Sequence, residues 1–170
     1  METLLENSFG THMPAGVMAV RLVAACIAGL ILGFEREYRS RPAGLRTHML
    51  TALGAAIFMI ISIELIASFG APGDDTRLDP IRVVEAVTAG AAFLAAGTII
   101  HGRGSVHGLT TGASIWLSGA IGLACGAGYL TVAALGVLLA ILILLPIRML
   151  ETHFFDKKPI MKPDSEDHDD

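Results

Sequence analysis

The sequence predicts an all-α integral membrane protein, a bundle of about five transmembrane helices. Three observations carry this expectation. Of the 170 residues, 53 % are hydrophobic and 16 % charged, whereas soluble domains carry about a quarter charged residues. The mean hydropathy is correspondingly high, at +0.63. The charges collect in short stretches between apolar runs, and those runs approach the roughly 20 residues a helix needs to cross a hydrocarbon core.

The spans are expected at about Ala15–Phe34, Met49–Ser68, Ile81–Ile100, Leu109–Ala127 and Tyr129–Ile147. So little separates the last two that Gly126-Ala127-Gly128 must turn tightly; four spans plus a re-entrant piece is the alternative reading. Residues 1–14 form a leading segment. Residues 148–170 form a tail whose Pro- and Asp-rich end has the composition of disorder. Val23-Ala24-Ala25-Cys26 resembles a lipoprotein cleavage site, yet residues 1–14 lack Lys and Arg, and Arg21 interrupts the apolar run. Neither lipidation nor signal cleavage is expected. Cys26 and Cys125 have no metal-ligand spacing and read as small buried hydrophobes.

Basic residues set the orientation. Arg36, Arg39, Arg41, Arg46, Arg103, Arg148, Lys157, Lys158 and Lys162 fall on one side, and only Arg77 and Arg82 on the other. The chain is therefore expected in a bacterial inner membrane with its N-terminus periplasmic and its C-terminus cytoplasmic. Much of the net charge of −4 comes from the tail Asp164-Ser165-Glu166-Asp167-His168-Asp169-Asp170. The lipid bilayer is the evident partner, and no nucleic-acid footprint is visible.

Small residues recur at helical spacing. Gly29 and Gly33 on the first span, and Ser118, Gly122 and Gly126 on the fourth, would let helix backbones approach closely. Three charges fall inside spans: Arg21, Glu64 and Glu85. At 1.5 Å per residue all three would lie roughly 6–9 Å deep on the periplasmic side. A contact between Arg21 and Glu85 or Glu64 would neutralise them, although Glu64 could equally reach the interface by itself.

The first cytoplasmic loop is denser in polar groups. It reads Gly33-Phe34-Glu35-Arg36-Glu37, then Arg41-Pro42-Ala43-Gly44-Leu45-Arg46-Thr47-His48. Pro42 and Gly44 break the helix, and Thr47 is placed to cap the second span. Glu35 and Glu37 offer the oxygens that a hard cation such as Mg²⁺ prefers. The plainer reading pairs them with neighbouring arginines. His101 and His107 return to this face without a zinc pattern. The glycine-rich run His101–Gly108 lacks the context of a phosphate loop and reads as flexible. Ser114 and Ser118 have no evident His or Asp partner, and no catalytic constellation or cofactor site is visible.

Gly33–Glu37 followed by Ala43–His48 resembles the first-loop signature of the MgtC/SapB family. Ala91-Ala92-Phe93-Leu94-Ala95-Ala96-Gly97-Thr98-Ile99-Ile100 is similar to the family's third span, and Gly108-Leu109-Thr110-Thr111-Gly112-Ala113-Ser114-Ile115-Trp116 to the start of its fourth. The resemblance covers roughly residues 17–145. It implies a role in adaptation to low magnesium and, in some pathogens, survival inside phagocytes. Some members act on other membrane proteins rather than moving Mg²⁺. It makes Glu35, Arg36, Glu37, Gly44, Leu45, Arg46, Thr47 and His48 the candidate functional residues. Two features depart from the pattern: Ala92 and Ala95 stand where many relatives have glycine, and Glu85 is added. The best-known members also carry a soluble ACT-type domain after the membrane part. Only about 23 residues follow the fifth span here, as expected of a short, membrane-only member. The expected function is non-enzymatic modulation of a membrane partner or of cation homeostasis, with homo-oligomerisation open. A small cation transporter or channel subunit is the alternative.

Overall fold

The computed structural model describes residues 10–69, 79–102 and 105–144. Among these residues five helices run up and down: α1 (Ala15–Tyr38), α2 (Leu45–Phe69), α3 (Pro80–Ala96), α4 (Leu109–Ala127) and α5 (Leu130–Leu144). A short antiparallel hairpin, β1 (Ile100–Gly102) with β2 (Ser105–His107), lies between α3 and α4. The protein is an all-α membrane bundle. By length and composition α1, α2 and α4 can each cross a bilayer, spanning about 36, 37 and 28 Å. Apolar α5 has 15 described residues; Leu145–Ile147, expected to extend it, lie outside the described residues, as do 1–9 and the tail.

α2 is the central element, with α1 and α4 packed closely along it. α5 lies on α1 and α4, and α3 on α4 and α2. The core is mostly small: Ala25, Ala28 and Leu32 meet Ala52 and Ala56, Ile121 and Cys125, and Ala133, Val137 and Ala140. Large apolar side chains such as Val20, Phe34, Phe58 and Leu139 point outward. That inversion of the soluble pattern suits a lipid solvent, where packing rather than burial from water holds helices together.

The small-residue stripes lie at the contacts. A Cβ on Gly29 would stand 2.6 Å from the His48 carbonyl oxygen, and one on Gly126 2.5 Å from that of Ala56. A Cβ on Gly122 would collide with the Ala52 carbonyl. α1 and α4 thus approach α2 backbone to backbone.

α3 starts at Pro80, which needs no amide partner at a helix start, and the Asp79 carboxylate accepts the Ile81 N–H at 2.9 Å. It ends at Ala96, before the Ile100 expected from sequence. Gly97 and Thr98 turn the chain there, and the Thr98 hydroxyl donates to the Ala95 carbonyl at 2.7 Å. The segment expected to be a flexible loop contains the hairpin instead, with Ile100 opposite His107 and Gly102 opposite Ser105. Between α4 and α5 the turn is tight: Gly128 adopts φ 87°, a left-handed geometry open to glycine at little cost. α2 and α3 diverge around a largely apolar groove of about 790 Å³.

Candidate functional site

The end of α1, the starts of α2 and α4, and the hairpin meet at one end of the bundle, where the polar groups concentrate. Glu35 and Arg36 occupy the last turns of α1 and are both buried. A buried charge is tolerated when paired and hydrogen-bonded. Arg36 Nη2 donates to Thr111 Oγ1 on α4 at 2.9 Å, and Nη1 lies 3.7 Å from Glu35 Oε2. Arg39, one turn on, pairs through Nε with Glu35 Oε1.

His48 sits one turn into α2, fully enclosed. Its Nδ1 lies 2.9 Å from the Gly44 carbonyl oxygen and its Nε2 3.0 Å from Ser114 Oγ. A carbonyl only accepts, so Nδ1 carries the hydrogen. Ser114 Oγ also lies 2.8 Å from the Thr111 carbonyl. Its single proton serves either that carbonyl or a neutral Nε2, never both. Ser118 Oγ donates to the His48 carbonyl at 2.8 Å. Thr111, Ser114 and Ser118 therefore form one polar face on α4 that receives Arg36 from α1 and His48 from α2.

The connecting loop is built by other motif residues. Glu37 Oε2 accepts the Leu45 N–H at 3.2 Å, so the α2 start is capped by Glu37 rather than by the expected Thr47. α2 begins at Leu45, three residues earlier than a Thr47 cap requires, and the Thr47 carbonyl accepts from Thr51 Oγ1 at 2.8 Å inside the helix. Gly44 leaves room for that cap, since a Cβ there would overlap the Glu37 carboxylate and displace it from the Leu45 amide. Glu35, Arg36, Glu37, Gly44, Leu45 and His48 are thus brought together, while Arg46 and Thr47 are exposed. Glu35 and Glu37, the carboxylates expected to offer oxygens to a cation, are held by different protein donors. Each is engaged by protein N–H donors on a different side of the loop, and no group of three or more His, Cys, Asp or Glu suits a metal among the described residues.

Arg39 pairs with Glu35 as the plainer sequence reading has it, whereas Thr111, Ser114 and Ser118 belong to this network although the sequence showed no partner for them. The available signal was the spacing of 111, 114 and 118, which places three hydroxyls on one helical face.

The three intramembrane charges do not meet. Arg21 Nη1 donates to the Gly126 carbonyl at 2.8 Å, at the C-terminal end of α4, where a cation is favoured by the helix dipole. Glu64 accepts the His12 and Met13 amides at 2.7 and 2.8 Å, fastening the segment before α1 to α2. Glu85 is exposed on α3 and forms no ion pair with Arg21. A common depth does not give a common face.

Close small-residue packing, an outward apolar surface and a buried Arg–Glu–His–hydroxyl cluster define a polytopic membrane protein with a polar site at one end of its bundle. Residues 22–153 match the MgtC family, and the chain belongs to it. "Protein MgtC" of Brucella abortus (strain 2308) is 44 % identical over 116 residues, covering 65 % of this chain and 45 % of that one. "Putative magnesium transporter YhiD" of Escherichia coli (strain K12) is 39 % identical over 125 residues, 74 % and 58 % respectively. "Uncharacterized protein slr0014" of Synechocystis is 36 % identical over 149 residues, 88 % and 59 %. The chain thus spans about half the length of these curated relatives. No solved structure matches it.

Proposed function

We propose that this protein serves magnesium or cation homeostasis in a bacterial inner membrane, without catalysis, by modulating another membrane protein. The single observation that carries the reading is the placement of the motif. Glu35, Arg36 and His48 are spent on holding α1, α2 and α4 together at one end, which supports a structural receiver more than an ion path. Family membership and the name of the Escherichia coli relative support the magnesium link. The basic residues around this end support its assignment to the cytoplasm, with the N-terminus periplasmic. The partner is a membrane protein, a second copy of this chain included.

A strain lacking the gene, grown in magnesium-limited medium, tests this. A magnesium-specific defect rescued by wild type and not by Glu35→Ala is the expected result; normal growth without the gene sinks the magnesium link. The second reading, a small cation transporter, is favoured by the relative's printed name and by Glu85, an acid on α3 with no ion pair among the described residues. Mg²⁺ flux into liposomes that is lost in Glu85→Gln would establish it over the first.

A further inference from the structure

The groove of about 790 Å³ between α2 and α3 runs from Leu50 to Ile66 on one wall and from Leu94 back to Asp79 on the other. At 1.5 Å per residue it is about 24 Å long, most of the roughly 30 Å hydrocarbon core. Ala91 of α3, against Gly119 of α4, closes it behind. Gly54 lies four residues from Leu50, and Gly90 four residues from Leu94, so the two glycines face each other at one level. A Cβ on either would find nothing within 4 Å. Glycine weakens a helix interior, and no neighbour in the chain requires it at these two positions. What the pair does is keep the groove open.

The polar groups along the groove describe its occupant. Ser62 lines it at 6 % exposure, and its hydroxyl has no hydrogen-bond partner among the described residues. Buried hydroxyls are ordinarily bonded, and this one is able to donate to an acceptor in the groove. At the mouth stand Asp79 and Arg82, both exposed. Asp79 Oδ1 accepts the Ile81 N–H, and neither side chain forms an ion pair with a described residue. Side chains lean toward the N-terminus of their helix, and α2 and α3 run in opposite directions. Arg82 therefore leans out to the mouth and Ser62 inward from it.

We propose that the groove holds one glycerophospholipid with a zwitterionic, amine-bearing head of the phosphatidylethanolamine type. Arg82 receives the phosphate, Asp79 receives the ammonium, and Ser62 donates to an ester carbonyl beneath them. One acyl chain continues past Phe58 and between Gly54 and Gly90. The chains of one leaflet reach about 15 Å, half the hydrocarbon thickness, so an extended chain lies within the groove in full. A helix from a second copy is too thick to do so. At about 10 Å across, such a length of helix displaces roughly 1,900 Å³, more than twice the groove volume. An apolar helix would also leave one charge of each sign unmatched at the mouth. The inference is independent of any role in magnesium homeostasis.

The test is native mass spectrometry of the full chain in mild detergent, titrated with dioleoyl phosphatidylethanolamine or dioleoyl phosphatidylglycerol. One tightly held phosphatidylethanolamine per chain is expected, with phosphatidylglycerol bound at least about fivefold more weakly. Gly90→Leu puts a side chain into the open groove and should abolish the tight site. Arg82→Gln should weaken binding at least about tenfold, and Ser62→Ala roughly fivefold. Asp79→Asn still caps α3, yet it should erase the preference for the ethanolamine head. Size-exclusion chromatography reports whether Gly90→Leu folds; if it does not, the exposed Arg82→Gln and Asp79→Asn decide. No tightly held lipid, equal binding of the two heads, or tight binding that survives Gly90→Leu overturns the proposal. A dimer of the chain that Gly90→Leu dissolves would overturn it too, by giving the groove to a second copy.

Discussion

Thr111 carries a consequence that its identity alone does not announce. Its hydroxyl accepts from the buried Arg36 guanidinium, and hydrogen bonds to charged groups contribute more than neutral ones. Thr111→Val should therefore destabilise the protein by about 1–3 kcal/mol. Thr111→Ser, which keeps the oxygen, should recover most of that loss in thermal unfolding. A second residue-scale prediction concerns the cap. Gly44→Ala drives the Glu37 carboxylate off the Leu45 amide, with a cost of about 0.5–2 kcal/mol by analogy with other caps. Glu37→Ala should cost a similar amount, and the double variant should cost no more than either single. Additive effects would show that Gly44 matters for another reason. The motif around these residues was legible in the sequence; their partners were not. Nothing in one chain links His48 to Ser114, which lie 66 positions apart on different helices. Depth arithmetic likewise placed Arg21 level with Glu85 without fixing which way either side chain turns.

Helix packing makes the glycines unequal. Gly122 and Gly126 meet α2 backbone, whereas a Cβ on Gly54 would find nothing within 4 Å. Gly122→Ala must push α4 away from α2 and should cost upwards of about 2 kcal/mol, in the range of overpacked cores. Gly54→Ala should be neutral or stabilising by up to about 1 kcal/mol through helix propensity. Denaturation of both variants in mild detergent distinguishes them, and equal effects would refute the backbone contact. The small-xxx-small stripes were readable because the spacing of 118, 122 and 126 repeats every four residues. The end of α3 was not readable, because Thr98, Ile99 and Ile100 continue the apolar run while Gly97 and Thr98 already turn the chain. Apolarity measures what tolerates lipid and does not by itself fix where a helix stops.

Across the whole molecule, the helices alternate in direction, so the loop after α1 and the segment before it face opposite sides. A cysteine at Arg41 and one at His12, each in a background without Cys26 and Cys125, should react with a membrane-impermeant maleimide from opposite sides. With the proposed orientation, intact spheroplasts label the His12 variant, and the Arg41 variant labels only after permeabilisation. Labelling of both from one side would contradict the alternating topology. The overall class and the order of the apolar runs followed from hydropathy and length. Which helix is central did not, since that depends on which faces are narrow enough to meet.

The distribution of polar partners along the chain also bears on how the protein is made. α1 and α2 emerge first, and they are already stapled to each other by Glu37 at one end and Glu64 at the other. Arg36 and His48 enter the membrane with that pair, yet the Thr111 and Ser114 oxygens that receive them arrive only with α4. A nascent chain halted after α3 thus carries this guanidinium and this imidazole ahead of their α4 acceptors, an unmatched state. Completion of α4 removes it, so the same cluster that organises the mature protein also distinguishes a finished chain from an unfinished one.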